Sequence, residues 1–192
     1  VVIAVYGNRA FEKAAAELAA LAARQGFVPV AAAAFIGEHS YSTPETPVAA
    51  GRPDAQDLAR AAEFGAAVRK KLAAGTPAPV DAAKLKDVHT PPVPMLRFIR
   101  FVVGYRRRQK RNPVVLLPEG DAARCTQCGR CVALCPTQAI ARGDELHTDP
   151  ARCIRCCACV KGCAFGARTF RTPFAAALAR NFARRKPPVT LL

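Results

Sequence analysis

Cys125-Thr-Gln-Cys128-Gly-Arg-Cys131-Val-Ala-Leu-Cys135-Pro136 and Cys153-Ile-Arg-Cys156-Cys157-Ala-Cys159-Val-Lys-Gly-Cys163-Ala164 decide how this chain is read. Both stretches have the spacing C-x2-C-x2-C-x3-C, and the second begins 28 positions after the first (153 − 125). All four spaced cysteines recur at that offset. Four soft thiolates set so closely converge from one loop and one helical turn onto a metal centre.

The cysteine count argues the same way. Nine cysteines would leave one unpaired in a disulfide framework, and no export signal is visible. All nine lie between 125 and 163, which is the distribution of a metal site in a reducing compartment, so a cytoplasmic setting is expected. Pairs of CxxC also bind zinc, which needs four ligands in tetrahedral array. A triple run with a trailing cysteine fits a cubane iron–sulfur cluster better. Two details depart from the repeat. Ala164 stands where the first copy has Pro136, and Cys157 is a ninth cysteine, read as a small buried thiol.

The 192 residues suffice for one or two small domains, and 51% of them are apolar, largely alanine. No uncharged apolar run reaches the roughly 18 residues of a membrane span. Val1–Val5 lacks a starting Met and a basic leader, so the stretch reads as the middle of a protein with residues expected upstream. The formal charge is +15. Two four-thiolate clusters would lower it by roughly 4 and leave the protein basic. Such a balance favours acidic redox partners, with an anionic membrane surface as a weaker candidate. Specific nucleic-acid binding is not expected, because no stacking-aromatic motif accompanies the charge.

Taken in order, residues 1–6 form a buried strand that turns at Gly7-Asn8-Arg9. A helix is expected at 10–25 (Phe11, Ala14, Leu18, Leu21, Ala22), closed by Gly26. A second buried strand is expected at 27–36, and after a loop at 37–51 Asp54 starts a helix at 55–74. Strand, helix, strand, helix is one βαβα unit of a parallel sheet.

Residues 75–113 read as a linker, Pro-rich at Thr76-Pro77-Ala78-Pro79 and Pro91-Pro92-Val93-Pro94, then apolar and basic from Met95 to Arg111. We expect that basic stretch to pack as a helix with a solvated charged end. The cysteine domain spans 114–172, with short strands at 114–117, 140–147 and 168–171. Residues 173–192 read as a loose basic tail. His39, His89 and His147 are scattered and are expected to be ordinary histidines, so no catalytic residue is assigned.

On these residues the chain resembles flavodoxin–ferredoxin fusion electron-transfer proteins, in which a flavodoxin-like domain precedes a bacterial-type two-cluster ferredoxin domain. The ferredoxin resemblance covers 115–170 and rests on the eight spaced cysteines. It implies an α+β fold and two [4Fe–4S] clusters, the fourth cysteine of each run serving the other cluster. One ligand set is then Cys125, Cys128, Cys131 and Cys163; the other is Cys135, Cys153, Cys156 and Cys159. The flavodoxin resemblance covers 1–74 and rests on Tyr6-Gly7-Asn8-Arg9-Ala10-Phe11 and on Phe35-Ile36-Gly37-Glu38-His39-Ser40. It implies a partial flavodoxin-like α/β parallel sheet made of the last two strands with their helices. It also implies that Tyr6, Gly7, Asn8 and Arg9 lie near FMN in the intact protein, since no phosphate-binding loop is present in this stretch. The expected role is electron transfer between a redox partner, the clusters and that FMN, as a carrier rather than a stand-alone enzyme. The rivals are a flavin and iron–sulfur reductase of a small molecule, and a binding module with structural clusters.

Overall fold

The computed structural model describes residues 1–75 and 77–192; Thr76, within the expected linker, lies outside the described residues. The chain divides into two compact units, Val1–Met95 with Leu178–Leu192, and Leu96–Ala177.

The first unit is built on a three-stranded sheet. Strand β1 (Val2–Tyr6) pairs in parallel with β2 (Ala32–Ile36), in a register that sets Val2 opposite Ala32 and Tyr6 opposite Ile36. Helix α1 (Ala14–Arg24) makes the crossover between them. Ala31–Ala34 are fully buried, and their small side chains let Phe64 and Val68 of helix α2 (Ala55–Ala73) pack on one face of β2. Tyr6, Phe11, Ala15 and Ile36 pack on the other. Asp54 caps α2 by accepting from the Asp57 amide at 3.0 Å, while Asp57 accepts from the Asp54 amide at 3.0 Å. These two bonds satisfy donors that a helix start leaves open.

Three expectations for this unit are corrected. The second strand starts at Ala32 rather than 27, because Phe27 and Val28 are exposed and Pro29 has no N–H to give a ladder. The segment read as a loose tail is folded. Helix α6 (Pro173–Phe182) buries Leu178 and Phe182, and strand β5 (Val189–Leu191) adds antiparallel to β2, with Leu191 opposite Ala32. Pairing there satisfies the free edge of β2. The Pro-rich stretch also belongs to the core: Val80 N donates to Pro29 O at 2.8 Å, and Ala82 and Leu85 are buried around a 3-10 turn at Ala82–Lys84. The parallel β1–β2 pair is thus present, but in a mixed sheet.

The remainder of the expected linker is helix α3 (Pro92–Arg111). Its prolines sit in the first turn, where the missing N–H groups have no intrahelical partner to lose. In the second unit Phe101 and Tyr105 of α3 set their rings edge-on against Phe174, with centroids 5.0 and 4.9 Å away.

The rest of the second unit carries little regular structure. A two-residue ribbon joins β3 (Glu119–Gly120) to β4 (Arg168–Thr169), and two short helices, α4 (Arg130–Leu134) and α5 (Ala158–Lys161), pack together. No strand forms at 114–117 or 140–147. At 140–147 the reason is visible. The chain turns there, Asp144 N donating to Ala141 O at 3.3 Å and His147 N to Asp144 O at 3.2 Å, while the carbonyls of Glu145 and Leu146 accept from Arg168 Nη1 at 2.8 and 2.9 Å.

Candidate metal centre

The two cysteine runs fold as copies of one another. Left-handed backbone recurs at the 28-residue offset: Gln127 (φ 53°) matches Arg155 (φ 56°), Gly129 (φ 73°) matches Cys157 (φ 60°), and Gln138 (φ 52°) matches Gly166 (φ 58°). Gly129 and Cys157 each stand immediately before a short helix, α4 or α5. These turns bring three cysteines of a run around one loop and its following helix.

Hydrogen bonds repeat in the same way. Asp121 and Asp149 each turn the chain by accepting an amide two residues on, from Ala123 at 2.9 Å and Ala151 at 2.8 Å. The amides of Cys125 and Cys153 donate to the carbonyls of Asp121 and Asp149. Asp121 N in turn donates to Ala167 O at 2.8 Å, and Asp149 N to Ala139 O, also at 2.8 Å. The start of each run is therefore tied to the segment just after the last cysteine of the other run. The repeats are crossed.

Crossing places Cys163 with the first run. Cys125, Cys128, Cys131 and Cys163 line one solvent-open cavity, with Glu145, Phe165 and Arg168 also on its wall. Among the described residues, no three His, Cys, Asp or Glu side chains sit at the spacing that a single metal ion needs. The four cysteines share one wall-lined space.

In the second run, Cys153 and Cys156 lie near enough to oppose ionisation of Cys159 electrostatically. The Cys135 sulfur has a different neighbourhood. It accepts from Ala139 N at 3.1 Å, as Cys163 accepts from Ala167 N at 3.3 Å. Burial opposes ionisation of both thiols. The surrounding amides outweigh it, those of Ala139, Thr137 and Gln138 for Cys135 and those of Arg168, Ala167, Phe165 and Gly166 for Cys163, so both pKa values fall below the ordinary thiol value. Burial pushes Cys131 and Cys159 up, and the Arg168 guanidinium pulls the other way on both.

Arg168 is the residue that sequence reasoning missed. It is buried, lines the thiol cavity, and hydrogen-bonds Cys159. Glu145 is buried beside it, one carboxylate oxygen accepting from Gly143 N at 3.2 Å. The only sequence signal was an arginine in a predicted strand, where a solvent-facing role is the ordinary assumption.

Cys157 is only 2% exposed. Burial, then its cysteine neighbours, push its pKa to about 12, so it stays a neutral thiol. By contrast Cys128 and Cys156, the second cysteines of the two runs, are exposed.

The residues expected near a flavin do stand at the C-terminal end of β1, but they are filled by the protein itself. Asn8 is buried, and its side-chain amide donates to Phe182 O at 2.7 Å and Arg184 O at 2.9 Å. Tyr6 is buried edge-on against Phe11, and a side chain on Gly7 would meet the His39 ring at 2.5 Å. Arg9 pairs with Glu12.

Residues 117–164 match the family model of the 4Fe-4S dicluster domain, about a quarter of the chain and the part that holds every cysteine. The region is therefore a ferredoxin-like iron–sulfur domain. No curated protein and no solved structure matches the chain. Among the described residues, no helix is long and apolar enough to cross a membrane.

Proposed function

We propose that the chain is an electron carrier holding two [4Fe–4S] clusters, one on Cys125, Cys128, Cys131 and Cys163, the other on Cys153, Cys156, Cys159 and Cys135. The observation that carries this reading is that the cysteines of the first run and Cys163 line one shared cavity, so that four thiolates face one site. When bound, such clusters supply reversible one-electron transfer, which needs no acid or base.

The chain's residues have definable parts in this. The amides of Ala139 and Ala167 donate to sulfur and stabilise its negative charge, which favours the reduced state. Arg168 adds a buried positive charge to the same end. Exposed Cys128 and Cys156 bring a sulfur of each site to the surface, where a partner can exchange electrons. The basic surface draws an acidic redox partner. Asn8, of the loop expected near FMN, instead ties β1 to residues 182–184.

The test is iron and acid-labile sulfide per chain on anaerobically purified protein, followed by reductive titration monitored by electron paramagnetic resonance. About eight irons with equal sulfide, reduced reversibly one electron at a time, are expected. Zinc in place of iron after metal-replete expression would sink the reading. So would clusters that no low-potential donor reduces.

A further inference from the structure

Helix α3 has two faces, and its packing explains only one. Phe98, Phe101 and Tyr105, at spacings of three and four, form the face turned inward. A helix serving only its own domain turns polar side chains outward. Here the outward face carries Leu96, Ile99 and Val103, which are 60%, 49% and 41% exposed. They recur at i, i+3 and i+7, so they form one stripe. Continued by three and four residues, the stripe reaches Arg106, Arg107 and Lys110, all exposed. Val114 and Val115, just beyond the helix, are exposed as well.

The charge on this helix has one sign. Arg97, Arg100, Arg106–Arg108, Lys110 and Arg111 are exposed, and α3 contains no acidic residue. A solvated surface helix ordinarily alternates charge signs to gain i, i+4 pairs, and like charges so close repel. Seven cations on a helix without an acidic residue, beside an exposed aliphatic stripe, suit a surface that is negative and apolar a few ångströms below. That is an anionic bilayer, where the cations meet headgroups and the stripe enters the acyl boundary. An acidic protein would satisfy the cations and leave the aliphatic side chains without a reason.

We infer that α3 is a peripheral membrane-binding helix that lies in the plane of an anionic lipid surface through Leu96, Ile99, Val103 and the Arg106–Arg111 cluster. At 20 residues it is about 30 Å long, enough to lie along a surface, and its charge keeps it from spanning one. The binding is independent of what the cysteines hold.

The test is flotation of the full chain with vesicles of phosphatidylcholine, alone or with 30 mol% phosphatidylglycerol (a mole fraction of about one third), at about 0.1 M salt. Binding to the anionic vesicles and release by high salt are expected. Arg106→Ala, Arg107→Ala and Lys110→Ala together should weaken partitioning about 100-fold, from roughly fivefold per cation. Leu96→Ser, Ile99→Ser and Val103→Ser, which keep every charge, should weaken it at least tenfold. Unchanged iron content and far-ultraviolet circular dichroism verify that each variant is folded. Equal binding to both vesicle types would overturn the assignment, as would full binding by the serine variant. No flotation, with salt-sensitive retention on immobilised polyglutamate through the same cations, would overturn it in favour of an acidic protein surface.

Discussion

The backbone amide of Asp149 donates to the carbonyl of Ala139 at 2.8 Å, and this bond holds the start of the second cysteine run beside the end of the first. Ala139 lies four residues after Cys135, and Asp149 four before Cys153. The bond between Asp121 and Ala167 does the same for Cys163 and Cys125. Bonds exchanged in this way tie the two repeats into one unit, and the clusters proposed above would couple their assembly to its folding.

Crossing is testable by double substitution. Cys128→Ser should cost about four of eight irons, and adding Cys163→Ser should cost no more, since both serve one cluster. Adding Cys135→Ser to Cys128→Ser should strip nearly all the iron. Uncrossed repeats would reverse the two double variants, with iron analysis reading the difference directly.

Arg168 ties the cysteine unit together from within. Its guanidinium donates to the carbonyls of Glu145, Leu146 and Pro118 and to Thr148. Leu146 O keeps the Gly120 amide and Pro118 O keeps the Thr148 hydroxyl, so Arg168→Leu strands chiefly the Glu145 carbonyl and should destabilise the unit by about 1–3 kcal/mol. Anaerobic urea unfolding measures that loss. Removing a cation beside Cys131 and Cys159 also makes added negative charge less favourable. The midpoint potentials of Arg168→Leu, read by redox titration, should therefore move negative, while Arg168→Lys should keep more of the potential than of the stability.

Cys157 occupies the left-handed position that Gly129 holds in the first run. That conformation costs a residue with a side chain about 1–2 kcal/mol, and a β-branched one more. Cys157→Gly relieves the strain and should keep both clusters with little change in stability. Cys157→Val should destabilise by at least 1 kcal/mol. Alkylation of the iron-loaded protein should leave Cys157 unlabelled, since a buried thiol with a pKa near 12 offers no thiolate. Loss of a cluster in Cys157→Gly would show instead that this sulfur is a ligand.

The same pair shows what the sequence could disclose. Ligand spacing is a local property, so the eight cysteines and their repeat were legible, as were the β1–α1–β2 crossover and the Asp54 cap. Non-local pairings were not. Val189–Leu191 is three residues after a basic run, and only the free edge of β2 makes it a strand. The turns that stand in place of a strand at 140–147 are held by Arg168, a contact about two dozen residues away. For Cys157 a signal existed. Aligning the repeats sets it opposite Gly129, and glycine is the residue that left-handed turns select.

Arg52 and Asp57 make the buried ion pair of the first unit, with Arg52 Nε donating to Asp57 Oδ2 at 2.7 Å. The Arg52 guanidinium also reaches Lys186 O at 3.0 Å, joining the start of α2 to the C-terminal segment. Hydrogen bonding from Arg52 holds the Asp57 carboxyl below the usual carboxylate range, against the opposing effect of burial. A depressed carboxylate pKa means that the unfolded chain binds the proton more tightly. The pair's contribution is thus fully present above the unfolded carboxylate pKa, near 4, and is lost as pH falls through the lower folded value. Asp57→Asn leaves Arg52 charged, buried and unmatched and should cost about 3–5 kcal/mol at neutral pH. Thermal unfolding between pH 7 and pH 2 should show this gap narrowing with acid, because protonating Asp57 does to the native protein what the substitution does. A gap that stays constant down to pH 2 would mean that the pair contributes no pH-linked stability.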